Sequence, residues 1–318
     1  MAHAPKWIRA KGTAPVTEVA ARSLKSRLEP VAQYLKLAAL HHEENVDYVH
    51  QLRVWTRRAG AAIEMYRKLL PEWRAAWIEK QLKRIRKATN DARDDDVFLR
   101  RLAADQSPAA ASLLNHIREH RIESQRPVVE IYERLANGKG RFERRVEKLL
   151  KRVRVRGKRR KSKEPTYRAW AEDRLWQVLS EFLEMAEEEI QDTDRLHQFR
   201  IAGKKLRYAM ELLASAFTRN LRETAYPLLE ALQDQLGKVN DHISALDRIR
   251  RRLGESDEPT VAAYLTELLE DEEQRLRESL RQYADWWTVE QQQRLREAFS
   301  EVTGDNDTAG SPEERPSG

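Results

Sequence analysis

The segments VHQLRVWTRR, from Val49, and LHQFRIAGKK, from Leu196, carry the same polar pattern 147 positions apart. Each has a histidine, an arginine three residues later, and two further cations on the next turn. Arginine offers phosphate oxygens a planar fork of N–H donors, and lysine offers a compact point charge. A nearby phosphate also favours the charged form of histidine. These residue types therefore predict contacts with a phosphate-rich anion.

A helical wheel at about 100° per residue separates two faces of the first segment. The apolar side chains form a stripe predicted to face the core, comprising Leu52, Trp55, Ala59, Ala62, Ile63 and Tyr66. The opposite face carries His50, Arg53, Arg57, Ala61 and Glu64, with Arg58 at its flank. Successive turns lie about 5 Å apart along the axis, so a linear chain of phosphates would meet one basic side chain per turn.

The second segment repeats this division. Its predicted core stripe is Phe199, Ala202, Leu206, Ala209, Met210 and Leu213. Its other face carries His197, Arg200, Lys204, Tyr208 and Glu211, with Lys205 and Arg207 at the edges. A solvated cationic face with pairs at i,i+4 is the alternative interpretation of one such helix. The occurrence of the same face in both copies favours anion binding.

The repeat extends beyond these helices. NDARDDDVFL, from Asn90, aligns with GKVNDHISAL, from Gly237, at the same offset of 147. A shared offset over this length predicts an internal duplication that gives two similar bundles related by pseudo-symmetry.

Almost every other stretch has the periodicity of an amphipathic helix, and none shows the sustained alternation of a strand. The prediction is an all-α chain with helical patterns at 16–42, 47–69, 72–103, 108–136, 141–153, 165–189, 194–217, 221–253, 259–283 and 288–302. Breaks are predicted at 137–140, 154–165 and 254–259. The predicted organisation is an N-terminal extension 1–15, a first repeat at about 16–152, a basic linker 153–165, a second repeat at about 166–302 and a disordered tail 303–318.

Composition narrows the class of protein. The chain has 318 residues, no cysteine and a formal net charge of +7. Cysteine chemistry, disulfides and thiolate zinc sites are therefore excluded. No window has the roughly 18 apolar residues of a membrane span, and the start of the chain lacks the apolar core of a signal peptide, so a cytoplasmic location is expected. Residues 141–163 contain thirteen Lys and Arg and two Glu, a local net charge of +11. The rest of the chain therefore has a net charge of 7 − 11 = −4, so this one segment makes the chain basic.

That segment ends in the run VRVRGKRRKSK, from Val153. Like-charged runs bind polyanions with little sequence specificity, or remain solvated. Secondary contacts to an anion are predicted at Arg154, Arg156, Lys158, Arg159, Arg160 and Lys161. The run has no aromatic residue for base stacking. A general polyanion-binding or nucleic-acid-binding protein acting through this linker is the alternative function.

Other clusters predict structure rather than catalysis. Asp47 and Asp194 precede the two histidines by three residues, which favours helix capping or imidazole orientation over metal binding. The acidic run Asp94–Asp96 is predicted to pair with Arg86, Arg93 or Arg100, although divalent metal at Asp94, Asp96 and Asp241 would support a hydrolase. No phosphate loop, nucleophile elbow or zinc-protease motif occurs. The eight tryptophans are predicted to pack in the core. We therefore predict no enzyme activity, no metal and no cofactor.

The paired run H-x-x-R-[VI]-x-x-[RK]-[RK], with ARDDDV after the first copy, resembles the CHAD (conserved histidine α-helical domain) family over roughly 16–302. The resemblance implies two antiparallel helical bundles with pseudo-two-fold symmetry and a basic cleft between them, binding of inorganic polyphosphate, and association with polyphosphate granules. The implied binding residues are His50, Arg53, Arg57, Arg58, His197, Arg200, Lys204, Lys205 and Arg207. The copies differ where Gly60 aligns with Arg207 and where Asn240 aligns with Arg93, so their contributions need not be equal.

Overall fold

The computed structural model describes residues 6–159, 164–187 and 192–304. These ranges contain eleven α-helices: α1 (Val16–Leu40), α2 (Asp47–Met65), α3 (Glu72–Ala88), α4 (Asn90–Leu102), α5 (Pro108–Glu123), α6 (Arg126–Arg159), α7 (Tyr167–Glu187), α8 (Thr193–Leu213), α9 (Tyr226–Glu255), α10 (Pro259–Trp286) and α11 (Val289–Gly304). A π-helical turn, Leu221–Ala225, leads into α9. No described residue lies in a β-strand, so the predicted all-α class is confirmed. Most of the predicted tail lies outside the described ranges.

The helix boundaries differ from the prediction in several places. The predicted break at 137–140 lies inside α6, and the turn before that helix is Ser124–Gln125 instead. Gln125 fixes this turn because its side-chain amide donates to the carbonyl of Ala38 at 2.7 Å. Gly140 has a φ of +70°, which marks a local departure from helix geometry that a glycine tolerates. The predicted single helix at 72–103 is divided at Thr89, whose hydroxyl donates back to the carbonyl of Ile85.

The described chain separates into two compact units. The first contains α1 to α6 together with the part of α9 and α10 between Val239 and Ser279. Within this unit, α1 packs on α2 and α6, and α3 packs on the same two helices. A further apolar cluster joins α4 and α5 to α9 and α10 through Phe98, Leu102, Leu113, Leu114, Ile117, Ile249, Val261 and Leu265.

The second unit contains α7, α8, the first part of α9, the end of α10 and α11. Phe182 of α7 stacks on Phe199 of α8 with ring centroids 5.2 Å apart, and Trp287 packs beside Phe199. Part of the predicted N-terminal extension also belongs here. The backbone amide of Ile8 donates to the carbonyl of Glu211 at 3.1 Å, and Trp7 packs edge-on against Tyr226. The duplication remains a prediction.

Candidate functional site

The two faces of α2 are divided as its periodicity predicts. The predicted stripe is buried, with Leu52, Ala59, Ala62 and Ile63 at 0% exposure and Trp55 at 5%. His50 and Arg53 are partly buried, and Arg57 is exposed. The helix therefore directs its apolar side into the core of the first unit and leaves the His–Arg–Arg face at the surface.

Arg53 joins α2 to the corner between α3 and α4. Its Nη1 donates to the carbonyl of Arg86 at 2.9 Å, the hydroxyl of Thr89 at 3.1 Å and Oδ1 of Asn90 at 2.6 Å. The carbonyl belongs to the last turn of α3 and also accepts a hydrogen bond from the hydroxyl of Thr89 at 3.0 Å. Burial, followed by the nearby charge of Arg57, lowers the pKa of Arg53 to about 10. Arg53 therefore remains charged at neutral pH and positions the neighbouring helices.

His50 lies in a cationic environment. Burial lowers its pKa below the ordinary value, and Arg93 lowers it further against the opposing effect of Asp47. Arg57 and Arg100 act in the same direction as Arg93. The imidazole is consequently neutral at pH 7, with one N–H available as a donor.

Two arginines beside this face were not among the predicted binding residues. Arg86 on α3 and Arg93 on α4 are partly buried, and burial is the largest cause of a lowered pKa at each. Nη1 of Arg93 is buried without a hydrogen-bond partner. Arg93 had a signal in the ARDDDV run, where it was predicted to pair with the aspartates and, through its replacement by Asn240, to make the two copies unequal. Arg86 had no such sequence signal, because the periodicity of one helix does not reveal which residues of another helix lie beside it.

We call His50, Arg53, Arg57, Arg86 and Arg93 the first-unit cluster. Within the described part of the chain, none of these four arginines forms an ion pair with a carboxylate within 4 Å. Arg57 is the second-largest cause of the lowered pKa of both Arg53 and Arg86, which places their charges close together. The cluster thus gathers cationic groups that have no direct ion pair in the described chain, although Asp94 acts on Arg53, and Asp96 and Asp47 act on Arg93, in the direction that raises their pKa.

Arg58 points elsewhere on α2. Its guanidinium lies 5.1 Å from the ring centroid of Trp55, which also has buried Arg27 at 5.8 Å. On the helix wheel it lies about 100° from Arg57. Arg58 therefore contributes to packing around Trp55 and lies at the flank of the cluster.

In the second unit, α8 presents a more heavily paired face. His197 is exposed, and Arg200 and Lys204 are partly buried. Lys205 donates to Oε2 of Glu181 at 2.5 Å, which is a solvent-exposed pair. The guanidinium of Arg207 lies 5.4 Å from the ring of Tyr208. The predicted residues share one helix, but Lys205 already has a carboxylate partner.

One residue of that face was placed wrongly. Glu211, predicted on the cationic side, is 1% exposed and accepts a hydrogen bond from the hydroxyl of Tyr226 at 3.3 Å. It is buried where the N-terminal segment and the start of α9 lie against α8, since Ile8 donates to its backbone carbonyl and Tyr226 donates to its carboxylate. Closer to the N-terminus of α8, Gly203 allows α9 to pack closely, since a Cβ there would lie 2.2 Å from Nε2 of Gln233.

The predicted basic linker is in part helix. Residues 153–159 form the end of α6, and Gly157 is buried where a Cβ would lie 2.0 Å from the hydroxyl oxygen of Thr17. Arg154 is exposed and Arg156 is partly buried. The side chains of Lys158, Arg159, Arg160 and Lys161 lie outside the described ones. The secondary contacts at these six positions remain a prediction.

The acidic run pairs with other partners than predicted. Asp94 accepts from Arg248 at 3.2 Å, and Asp96 accepts from Arg121 at 2.6 Å. Asp95 accepts from His120 at 2.8 Å and also pairs with Arg252. These partners come from α5 and α9, because those helices cover the buried side of α4. Among the described residues, no group of three acidic or histidine side chains has the arrangement of a metal site.

Asp47 and Asp194, at the starts of α2 and α8, do not cap these helices as expected. Asp47 does not cap α2 with its side chain and instead pairs with Arg100 at 3.2 Å. At α8 the cap is Asp192, whose carboxylate accepts from the backbone amide of Asp194 at 3.1 Å.

Comparison with known proteins identifies the family. The CHAD domain family model matches residues 22–250. The chain belongs to the CHAD family. The crystal structure of the CHAD domain from the plant Ricinus communis matches with a TM-score of 0.65 at 19% identity, covering 95% of this chain and 98% of the other. PptA from Streptomyces chartreusis matches with a TM-score of 0.48 at 18% identity, covering 90% and 100%. A search of the curated proteins returned no match.

These comparisons confirm the predicted CHAD resemblance and the helical fold. The matched segment includes α2, α8 and most of α9, so both motif-bearing helices lie inside the CHAD domain. No helix in the described ranges of the chain has the length and apolar character needed to cross a membrane.

Proposed function

We propose that this CHAD protein binds inorganic polyphosphate without cleaving it, and that the first-unit cluster is a principal contact surface. Membership of the CHAD family supports the proposal, since the family is associated with polyphosphate. The observation that carries it is the absence of carboxylate ion pairs at Arg53, Arg57, Arg86 and Arg93 in the described chain.

The charge distribution explains why a polyanion would bind there. Holding like charges together costs free energy, and partial burial of the guanidinium groups adds a desolvation cost. A bound polyanion offsets both costs by supplying negative charge and acceptor oxygens. Arg93 is only partly buried, so the exposed part of its guanidinium can offer an N–H to such an oxygen.

The spacing favours a polymer over a single phosphate. His50, Arg53 and Arg57 occupy successive turns of α2, about 5 Å apart along its axis. On α8, His197, Arg200 and Lys204 repeat the order, with Arg58, Lys205 and Arg207 at the flanks of the two faces. Each helix therefore offers a row of donors that a linear chain of phosphates would follow.

Competition binding at about 150 mM salt tests this function. Long-chain polyphosphate should displace a labelled polyphosphate probe far more effectively than duplex DNA of equal phosphate content. Orthophosphate release with divalent metal present should stay at background. If duplex DNA competes equally, and neutralising Arg154 and Arg156 weakens binding more than changing the first-unit cluster does, the protein is a general polyanion binder.

Binding should also tighten as pH falls from 7.5 to 5.5. The pKa of His50 in the free protein lies below its ordinary value, and a bound phosphate would raise it, so binding takes up a proton. Affinity then increases as pH falls towards the free-state pKa. Isothermal titration at several pH values should show this, and His50→Gln should flatten the profile. An affinity that does not change with pH in the unmodified protein would remove His50 from the contact set.

We further propose that the protein acts in the cytoplasm, in polyphosphate-granule association or in regulation of phosphate storage. Fluorescent tagging tests this role, because the protein should coincide with granules in cells that accumulate polyphosphate. The Arg57→Gln/Arg93→Gln protein should be diffuse in the same cells. Equal granule association of both proteins would contradict recruitment through the first-unit cluster.

A further inference from the structure

Helix α6 carries a basic stripe along α3 in the first unit. At about 100° per residue, Arg141, Arg145, Lys148 and Arg152 fall within about 60° of arc. Arg141, Lys148 and Arg152 are exposed, and Arg145 is partly buried. The stripe therefore forms a row of cations about 16 Å long, beginning directly after Gly140.

Aromatic rings on α3 lie against this stripe. Trp73 is 57% exposed, and Trp77 is partly buried one turn further on. The guanidinium of Arg145 lies 4.9 Å from the ring centroid of Trp77 and 6.0 Å from that of Trp73. Arg74 lies 4.0 Å from Trp73, and Arg141 lies 5.9 Å from Trp77. The face thus alternates indole and guanidinium planes, and we call it the Trp–Arg face.

The nearby carboxylates are directed elsewhere. Glu143 and Glu147 of α6 line a groove against α1 that also includes Lys25. Glu72 and Glu79 of α3 both pair with Arg67. No ion pair links a carboxylate to Arg74, Arg141, Arg145 or Arg152 in the described chain. The charge of the Trp–Arg face is therefore not neutralised locally.

This face is separate from the first-unit cluster, although α3 contributes to both. Trp73 lies in the first turn of α3, and Arg86 lies in its last turn. Thirteen residues at 1.5 Å per residue place them about 20 Å apart along the axis. A ligand bound at one end of α3 need not contact the other, so the two surfaces are testable separately.

We propose that the Trp–Arg face binds single-stranded nucleic acid, with a base stacking on Trp73 and phosphates contacting Arg145 and Arg152. An exposed indole beside guanidinium planes matches a ligand that alternates aromatic rings with negative charge. Polyphosphate has the charge but no rings. An acidic peptide segment has the charge but leaves the open surface of Trp73 without a stacking partner. A nucleic acid strand supplies both, because its bases stack on the indole and its phosphates carry the negative charge.

The electrostatics agree with this geometry. Burial is the largest cause of a lowered pKa at Arg74, followed by the charges of Arg152 and Arg145. These three cations therefore repel one another in the free protein, and a phosphate placed among them would relieve that repulsion. The ligand would bind mainly through phosphate charge, and stacking on Trp73 would distinguish bases from bare phosphate.

Fluorescence anisotropy with a labelled single-stranded oligonucleotide tests the proposal. Trp73→Ala should weaken binding by about 5- to 150-fold, the range expected for losing one stacked base, and Trp73→Phe should restore most of it. Trp176→Ala is the matched control, because Trp176 is 56% exposed on α7 and has no arginine stacked on its ring among the described residues. The Trp176→Ala protein should bind the oligonucleotide with unchanged affinity.

A strand of the same length lacking its bases completes the design. It should bind the unmodified protein more weakly and be insensitive to Trp73→Ala, and polyphosphate affinity should not change in that variant. Equal weakening of the intact and base-free strands would overturn the proposal in favour of charge alone. Displacement of the intact strand by an acidic peptide at lower concentration than by unlabelled strand would assign the face to an acidic protein instead. Neither outcome bears on polyphosphate binding at the first-unit cluster.

Discussion

The double change Arg57→Gln/Arg93→Gln should weaken the binding of long-chain polyphosphate by about a hundredfold or more. Each charge-assisted hydrogen bond contributes about 1.5–3 kcal/mol, and exposed Arg57 belongs at the lower end of that range. Two such losses amount to at least about 3 kcal/mol, which corresponds to two decades in affinity. The measurement is a titration of polyphosphate at fixed salt, and neither glutamine disrupts an ion pair within the described chain.

Salt dependence gives a second readout of the same change. By analogy with single-stranded nucleic acid, each lost phosphate contact should flatten the log–log slope by about 0.7. Arg118→Gln/Arg126→Gln is the matched control, because it removes the same net charge from exposed positions outside the first-unit cluster. If this control loses as much affinity as the cluster variant, net charge rather than the cluster determines binding.

Arg53 is less suitable as a probe, despite its place in the motif. Its three hydrogen bonds to the α3–α4 corner mean that Arg53→Ala would alter the positions of Arg86 and Arg93 as well as removing a cation. Loss of binding in that variant would therefore combine a structural and a direct effect. Arg57 has no such hydrogen bond among the described residues, so its replacement removes a cation without a structural effect of this kind.

The sequence was informative where one helix determines the outcome. The 3.6-residue periodicity of α2 correctly placed Leu52 and Trp55 in the core and Arg57 at the surface. It did not place Arg86 beside Arg57, because that neighbour comes from another helix and depends on the crossing of the two. The exposure predicted for Glu211 was wrong for the same reason, since the N-terminal segment at Ile8 and the start of α9 at Tyr226 contact it.

Tryptophan shows the limit of assignments based on residue type. Core packing was the default prediction for all eight. Trp55 is buried as predicted, at 5% exposure, whereas Trp73 is 57% exposed. Trp55 lies on the stripe of α2 that faces its neighbours, whereas Trp73 lies at the edge of α3 beside the basic stripe of α6. The difference depends on what packs against each ring, which local sequence does not specify.

The second large effect concerns stability. Asp96→Ala should lower the free energy of unfolding by about 3–5 kcal/mol, because it leaves the guanidinium of Arg121 buried without its carboxylate. Asp96 is 7% exposed and Arg121 is 9% exposed, with Nε and Oδ1 2.6 Å apart. Burial raises the pKa of Asp96 even though Arg121 opposes that effect, so desolvation outweighs the attraction. Urea unfolding followed by circular dichroism should show the loss.

The double change Asp96→Ala/Arg121→Met decides whether this cost comes from the unpaired charge. An apolar replacement of a buried pair is often neutral, so the double variant should recover most of the stability that Asp96→Ala loses. A double variant as unstable as the single one would show that the carboxylate acts through packing instead.

The same experiment bears on the hydrolase alternative. Because Asp94 and Asp96 are already paired with arginines, neither variant should change the background rate of orthophosphate release with divalent metal. A metal-dependent rate abolished by Asp96→Ala would restore catalysis as the function of this acidic run.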